Sequence, residues 1–430
     1  MSRALLVALV LALIGPASAL ADPCEDNPVI GSTDGDSIAD VAAAVPAAGA
    51  VVVRQSDPPG TLALAGNPSF GTGMALANVH GDGCADLLAG TPDGARVDVY
   101  DGAPDAAGLA TVPSSMLFTP GAASAEFGWS IAVSDRGSFD ASRDLWIGAP
   151  LETVGSEPAA GVVYHYALQT GQPPQLVGSV SVDDPTLPGD SRSGMRFGRV
   201  LSPTTNGVLV GVPNAGPHKR GAVYAVRIAA DGSLVKGARR VGRPGDRFGA
   251  AVAVDPRSHA TIVGAPGAAQ NAGAVVLYPD DKLTLHSGRR HVQATPHAGD
   301  RFGASVVIGA ALAGCQEATQ WAAGAPGDDV GGLRNAGSLT IATLGSLAAQ
   351  TCPALLLRAG RGLPGPAITN ARLGAGVALV RYRDDFDEDT YDAYAVAVPG
   401  RHEVVRHRQR FQLGAPGKIT LAIPESGDSF

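Results

Sequence analysis

The sequence has few aromatic residues, few lysines and few cysteines. Aromatic side chains make up 5% of the 430 residues, and 32 basic residues stand against 40 acidic ones, so the formal net charge is −8. The charges are spread along the chain, and no basic tract predicts nucleic-acid binding. The four cysteines contain no Cys-x-x-Cys pair, which argues against the common zinc and thioredoxin-like motifs.

Catalytic motifs are missing as well. No Gly-x-Ser-x-Gly nucleophile elbow occurs. The stretch from His402 to His407 resembles a zinc-protease motif, but that motif needs histidines at i and i+4 of a helix. Here the spacing is longer and the stretch contains a Val-Val pair typical of a strand. We therefore predict a protein that is not an enzyme, and we assign no catalytic residue.

Long apolar segments are confined to the N-terminus. Apolar residues 4–14 follow Arg3, end at a Gly-Pro pair and precede small residues at 17–21. This is the layout of a secretory signal peptide. The run is too short to span a bilayer, which needs about 20 residues. We predict a cleaved signal peptide over residues 1–21, no membrane span, and a secreted or extracytoplasmic mature protein.

The cysteine count fits that location. An even number of cysteines in an exported chain favours disulfides, and four cysteines allow three pairings. We prefer the pairing that links nearby parts of the chain. The predicted bridges are Cys24–Cys84 and Cys315–Cys352.

Glycine and proline are abundant, with 57 and 32 residues. They alternate with short runs of Val, Leu, Ile and Ala, which indicates turns between many short strands. Within this pattern a Phe-Gly pair recurs before a strand of small residues. The copies are Phe70-Gly71, Phe127-Gly128, Phe197-Gly198, Phe248-Gly249, Phe302-Gly303 and a conservative sixth, Leu373-Gly374.

Two further elements follow each Phe-Gly pair. A short apolar run ends in Gly-small-Pro, and a β-rich run then begins at or just after a glycine. The Gly-small-Pro runs are at 87–92, 145–150, 208–213, 261–266 and 321–326, with a weaker copy at 394–399. The β-rich runs are at 95–100, 161–166, 221–226, 273–278 and 337–342. A truncated copy at 41–53 lacks the Phe-Gly pair, so the chain has up to seven units.

Each unit predicts four strands, and such a sheet must bury both faces. Packing the sheets face to face in a ring achieves this. We predict an all-β fold, a seven-bladed β-propeller of four-stranded antiparallel blades, as one domain over residues 22–430. A β-solenoid is the alternative, and ring closure with six or seven blades stays open. The predicted units are 27–66, 67–122, 123–192, 193–243, 244–297, 298–368 and 369–425.

The ordered series of Phe-Gly, Gly-Ala-Pro and Gly-x-Val-Tyr resembles the FG-GAP repeat of integrin alpha-subunit N-terminal propellers and related secreted bacterial proteins. The resemblance covers about residues 27–425. It implies a binding or adhesion-type module with an unknown protein or glycan ligand, and structural Ca²⁺ at one to three sites. We also expect a monomer. Since fold does not settle function, two alternatives stay open: a lyase or hydrolase on a propeller scaffold, and a purely structural envelope component.

The segment 78–86 of the second unit fits the calcium-loop pattern of this family. Such loops place oxygen ligands at positions 1, 3, 5 and 9, a backbone carbonyl at 7, and glycine at 6. His80 falls at position 3 and is a poor ligand for a hard cation. The predicted ligands are Asn78, Asp82, the carbonyl of Cys84, and Asp86.

Other units carry parts of the same frame. The third unit keeps Asp140 and Asp144 but has Arg136 at position 1, so we expect weak calcium binding or none. The alternative interpretation of every such loop is an Asp/Gly-rich surface turn that binds no metal. The predicted ligands are Ser32, Asp34, Asp36, the carbonyl of Ile38 and Asp40 in the first unit, and Asp384, Glu388 and Asp392 in the seventh.

Overall fold

A computed structural model describes most of the chain between residues 41 and 419. The described residues are 41–45, 48–55, 60–103, 108–135, 143–183, 192–229, 231–255, 257–283, 288–309, 319–344, 354–383, 390–401, 403–407 and 418–419. The predicted signal peptide lies outside them. No helix in the described stretches is long and apolar enough to cross a membrane.

The described strands form seven sheets, in each of which consecutive strands pair in chain order. The first three sheets are β1 (Val41–Val45), β2 (Ala50–Gln55), β3 (Gly60–Ala65); β4 (Met74–Ala77), β5 (Asp86–Thr91), β6 (Arg96–Tyr100), β7 (Ser115–Phe118); and β8 (Ser130–Asp135), β9 (Arg143–Ala149), β10 (Val162–Leu168), β11 (Gln175–Val180). The next two are β12 (Val200–Thr204), β13 (Gly207–Val212), β14 (Ala222–Ile228), β15 (Leu234–Val241); and β16 (Ala251–Val254), β17 (Thr261–Gly264), β18 (Val275–Tyr278), β19 (Arg289–His291). The last two are β20 (Ser305–Gly309), β21 (Gln320–Ala325), β22 (Ser338–Thr343), β23 (Leu355–Ala359), β24 (Gly362–Leu363); and β25 (Val377–Arg383), β26 (Thr390–Val398), β27 (Glu403–His407), β28 (Lys418–Ile419).

The predicted all-β, seven-bladed propeller is confirmed, with each sheet forming one blade. Five blades have four antiparallel strands, whereas the described part of the first has three and the sixth has five. The extra strand of the sixth, β24, pairs in parallel with β23. Helical structure in the described residues is limited to single turns at Pro92–Gly94, Ala123–Ala125, Pro217–Lys219, Ala268–Asn271 and Pro399–Arg401.

The strands of a blade differ in burial according to their place in it. From the second to the seventh blade, the first strands lie against one another, so they are the inner strands of the ring. Second strands such as β5, β13 and β21 are buried along their whole length. The fourth strand β7 alternates between half-buried and exposed residues, as an outer strand does. Burial on both faces explains why the second strands are continuous apolar runs.

The described residues form six core clusters, each between two consecutive blades. Each recurrent Phe, or Leu373 in the last copy, contributes to the cluster that its blade shares with the preceding one. Phe127 and Phe197 are fully buried and lie edge-on to Tyr164 and Tyr224 of their own third strands. Burial of such a ring stabilises the fold by about 2–3 kcal/mol. The repeated Phe therefore joins one blade to the next.

Two glycines of the repeat meet at each of the five blade junctions from the second to the seventh blade. The N–H of Gly128 donates to the carbonyl of Gly148 in its own blade, at 3.1 Å. A Cβ on Gly148 would in turn lie 1.9 Å from the carbonyl oxygen of Gly198 in the next blade. Gly198 has φ +84°, a conformation open mainly to glycine. The same close approach joins Gly324 to Gly374, also at 1.9 Å. Glycine is thus required on both sides of the junction.

Candidate functional site

The predicted calcium loop of the second blade connects β4 to β5. Asp86, at the start of β5, is fully buried. Its Oδ2 accepts hydrogen bonds from the backbone N–H of Val79 at 2.7 Å and of His80 at 3.2 Å. Its Oδ1 accepts one from the N–H of Gly102, just beyond β6, at 2.9 Å. One carboxylate therefore ties the loop to the next connection of the blade.

The other predicted ligands in this loop make local bonds. Asn78 Oδ1 accepts the N–H of Gly81 at 2.6 Å, and Asp82 Oδ1 accepts the N–H of Cys84 at 3.1 Å. Arg143, the first residue of β9 in the next blade, donates to the carbonyl of Asn78. The loop is thus a tight turn with polar contacts on both sides.

His80 stands where the calcium frame expects an oxygen ligand. Its Nδ1 lies 3.2 Å from Asp86 Oδ2 and 3.3 Å from Asp101 Oδ1. Among the described residues, these three side chains form a group with ligand atoms within 4.8 Å of one another, and Asp82 is not part of it. Sequence reasoning missed Asp101, which follows β6 and has no fixed spacing from the loop. The group offers one nitrogen and two carboxylates to a cation.

The ionisation of the loop follows from these contacts. The hydrogen bond with Asp86 raises the pKa of His80 above its ordinary value, although partial burial opposes the shift. Burial, and then the negative charge of Asp86, raise the pKa of Asp82. When His80 is protonated, its ring supplies positive charge between Asp86 and Asp101. Together with the N–H donors, it balances the carboxylates, which is the role that the sequence assigned to calcium.

Calcium binding at this loop stays a prediction, and the residues fit it in part. Oδ2 of Asp86 is occupied by three donors, whereas Oδ1 accepts one N–H and keeps a second acceptor position for a cation. The nitrogen of His80 is less suited than oxygen to a hard cation. The loop therefore offers calcium fewer oxygen ligands than a full calcium loop does.

The remaining predicted ligands lie largely outside the described residues. This holds for the whole first-unit set (Ser32, Asp34, Asp36, Ile38 and Asp40) and for Asp384 and Glu388. Asp392 lies in β26, where it is opposite Arg381 of β25 in the antiparallel backbone register. Cys24, Cys315 and Cys352 also lie outside, so both disulfide pairings stay predictions. Cys84 is buried and is not a free thiol.

In the third blade, the carboxylate at the last position of the calcium-loop pattern binds a histidine of another strand. Asp144, at the position equivalent to Asp86, is buried and lies 2.7 Å from Nε2 of His165 on β10. The ring of His165 stacks on Trp146, with centroids 4.2 Å apart and planes 12° apart. Trp146 Nε1 donates to Ser134 Oγ at 3.1 Å. This buried polar chain connects the first three strands of the blade.

A pocket of about 380 Å³ opens where the fifth, sixth and seventh blades meet. We call it the interblade pocket. Among the residues that the structure describes, its wall has two arginines, two asparagines and small residues, and no carboxylate. The lining residues are Asn271, Gly299, Arg301, Pro326, Gly327, Asn335, Arg372 and Ala375.

The pocket wall repeats one backbone motif twice. Asn271 and Asn335 have left-handed backbones, with φ +66° and +48°. Their carbonyls accept the N–H groups of Arg301 at 2.7 Å and Arg372 at 2.9 Å, the residues that precede Phe302 and Leu373. Both arginines are also left-handed, with φ +56° and +52°. The blade junctions themselves therefore shape the pocket.

Comparison with known proteins gives no family. No family model and no curated protein matches the sequence. Similar solved structures include Kuenenia stuttgartiensis hydrazine synthase, with 11% identity over 85% of this chain and 96% of that chain and a TM-score of 0.48. BBS1N in complex with ARL6DN matches at 17% identity, over 72% and 75% of the two chains with a TM-score of 0.42 (mercury-soaked) or over 66% and 73% with 0.37 (lead-soaked). These identities transfer no activity, and the fold assignment rests on the seven sheets described above.

Proposed function

We propose that this chain is a secreted, non-enzymatic binding module of the FG-GAP type, in which blade junctions form the ligand site. The observation that carries the proposal is the interblade pocket. Its volume of about 380 Å³ lies in the range of small-ligand sites. The Phe-Gly and Gly-small-Pro contacts at the junctions from the second to the seventh blade support the FG-GAP assignment, because they give both motifs a shared structural role.

The pocket is preformed by backbone hydrogen bonds. Besides the two Asn–Arg bonds, the N–H of Gly327 donates to the carbonyl of Asp300 at 3.0 Å. The two Asn–Arg bonds hold turns of neighbouring blades at fixed distances, and the bond from Gly327 fixes a turn within the sixth blade. A ligand that enters the pocket therefore pays little for ordering the protein, which favours binding.

Binding can be tested with an array of glycans and purified secreted proteins, probed with the full chain. Ala375 lines the pocket directly after Gly374, and the equivalent position of the third blade is Trp129. The repeat thus accommodates tryptophan there. We expect Ala375→Trp to fill the pocket and abolish capture of any array ligand by the wild-type protein.

The matched control is Ala250→Trp, at the same repeat position of the fifth blade and outside the pocket lining. It is expected to bind like wild type. A blank array for the wild-type protein, or equal capture by both variants, would reject the interblade pocket as a ligand site.

The proposal includes structural calcium at the 78–86 loop and the two predicted disulfides. We expect His80→Asp to make the loop more dependent on calcium, because it supplies oxygen at position 3 but places a third carboxylate beside Asp86 and Asp101. In EDTA, the melting temperature of this variant should lie below that of wild type. When about 1 mM calcium is added, the melting temperature of the variant should increase by more than that of wild type does.

Isothermal titration with calcium provides the direct measurement, and magnesium serves as the control cation. If neither wild type nor His80→Asp shows heat of binding or a calcium-dependent melting shift, the calcium part of the proposal is wrong.

A further inference from the structure

We propose that the interblade pocket recognises an acidic saccharide, whose oxyanion lies between Arg301 and Arg372. This inference rests on the proposed binding function and specifies its ligand class. Carboxylate and sulfate groups share the required chemistry, since both accept paired N–H donors from guanidinium groups.

The charge of the pocket is the first observation. Arg301 and Arg372 are exposed. Among the described residues, neither guanidinium has a hydrogen bond or a carboxylate partner. Two other arginines are paired: Arg290 binds Asp246 through both terminal guanidinium nitrogens, at 2.9 and 3.1 Å, and Arg358 lies 3.3 Å from Asp328. The two pocket arginines thus keep their full donor capacity for a ligand.

The surrounding carboxylates are already engaged. Asp300, next to Arg301 in the chain, is buried and accepts the N–H of His297 at 2.7 Å. Asp329 accepts the N–H of Asn335 at 2.8 Å. Because neither carboxylate lines the pocket, the described part of the wall carries two positive charges and no negative one.

The second observation is the choice of residues at the four left-handed positions of the pocket wall, 271, 301, 335 and 372. A left-handed backbone costs roughly 1–2 kcal/mol for an ordinary residue and little for glycine or asparagine. The motif also occurs in earlier junctions, where Ala159 pairs with Arg196 and Lys219 with Arg247, both at 3.0 Å. Asparagine and arginine occur together only in the last two of these four junctions, the two that form the pocket.

The neutral lining indicates a hydroxyl-rich ligand. Asn271 and Asn335 present amides, which both donate and accept hydrogen bonds. Asn335 Nδ2 donates to Asn370 Oδ1 at 2.9 Å, which orients its side chain. The apolar part of the wall consists of Pro326, Ala375 and two glycines, with no large side chain to receive an apolar group. These features favour a saccharide over a peptide with apolar anchors.

The test uses the full chain and isothermal titration at low ionic strength. The probes are an oligogalacturonate for the carboxylate, a sulfated disaccharide for the sulfate, a neutral oligosaccharide of equal length, and a short polyglutamate peptide. We expect one of the acidic saccharides to bind at least about tenfold more tightly than the neutral one, as paired charge-assisted hydrogen bonds imply. Its affinity should fall with added salt.

Variants locate the site. Arg301→Asn and Arg372→Asn should each weaken binding about tenfold or more, while asparagine tolerates the left-handed backbone and preserves the fold. Arg247→Asn is the matched control, because Arg247 is exposed and left-handed at φ +51° but lies outside the pocket. It should bind like wild type.

Other results would overturn the inference. These are equal binding of the neutral oligosaccharide, wild-type affinity in both pocket variants, or tight binding of polyglutamate alone. If the array yields a ligand that depends on Ala375 but neither acidic saccharide binds, the ligand class is wrong while the binding function stands. A blank array together with no titration signal would reject both.

Discussion

Replacing Gly148 with alanine is expected to lower the free energy of unfolding by about 3 kcal/mol or more, at the upper end of overpacking effects. The new Cβ would lie 1.9 Å from the carbonyl oxygen of Gly198 and 2.4 Å from Ser130 Oγ. The atom that the new Cβ would meet is a backbone oxygen of Gly198, and it cannot move away by a change of rotamer as a side chain can. The third and fourth blades would have to separate, which would also disturb the packing of Phe197. Chemical denaturation of the purified protein measures the change.

Gly178→Ala is the matched control in the same blade. Gly178 lies in the outer strand β11, and a Cβ there would meet no atom within 4 Å. Its unfolding free energy should stay within about 0.5 kcal/mol of wild type. If Gly148→Ala unfolds at the same denaturant concentration as this control, the close approach of the two glycines does not contribute to the junction.

Replacing Asp86 with asparagine is expected to cost about 3 kcal/mol, measured in EDTA. Asparagine has the same shape, but its NH₂ group cannot accept hydrogen bonds. It would therefore face the N–H of Gly102 or those of Val79 and His80 without satisfying them. A buried donor without an acceptor costs about 1–3 kcal/mol, and loss of the carboxylate weakens the remaining bonds.

Asp82→Asn in the same loop is the control. The bond from the N–H of Cys84 to Oδ1 can persist in the amide. Burial and repulsion from Asp86 already raise the pKa of Asp82, so removal of its charge relieves a repulsion. We expect a change within about 0.5 kcal/mol. Equal destabilisation by the two substitutions would show that loop charge in general, and not the hydrogen bonds of Asp86, holds the hairpin.

The repeat could be predicted from sequence because each blade carries the same local signals. Phe127-Gly128 precedes β8, and the Gly-small-Pro run at 145–150 ends with β9. A strand that is buried on both faces must be continuously apolar, and a turn between strands admits proline. Such rules act over a few residues, so they can be recognised along the chain. The fifth strand of the sixth blade has no counterpart in other units, and the repeat gave no signal for it.

The candidate sites were only partly predictable. The calcium frame selected Asp86 as a metal ligand, which stays a prediction, and it treated His80 as a mismatch at position 3. The structure places His80 against Asp86 and Asp101. Asp101 could not be recognised by its spacing from the loop, because the strands β5 and β6 lie between them in the chain. At the equivalent position of the third blade, Asp144 binds His165, again a partner from another strand.

The sequence by itself determined the repeated strand pattern, because its signals depend on neighbours in the chain, and the signal peptide stays a prediction. Only the tertiary structure decided which side chains meet at a junction. Arg301 and Arg372 belong to different units, and each follows its own local turn. They share one pocket because adjacent blades pack face to face, which brings distant segments together. Within the described part of the chain, neither guanidinium group has a partner.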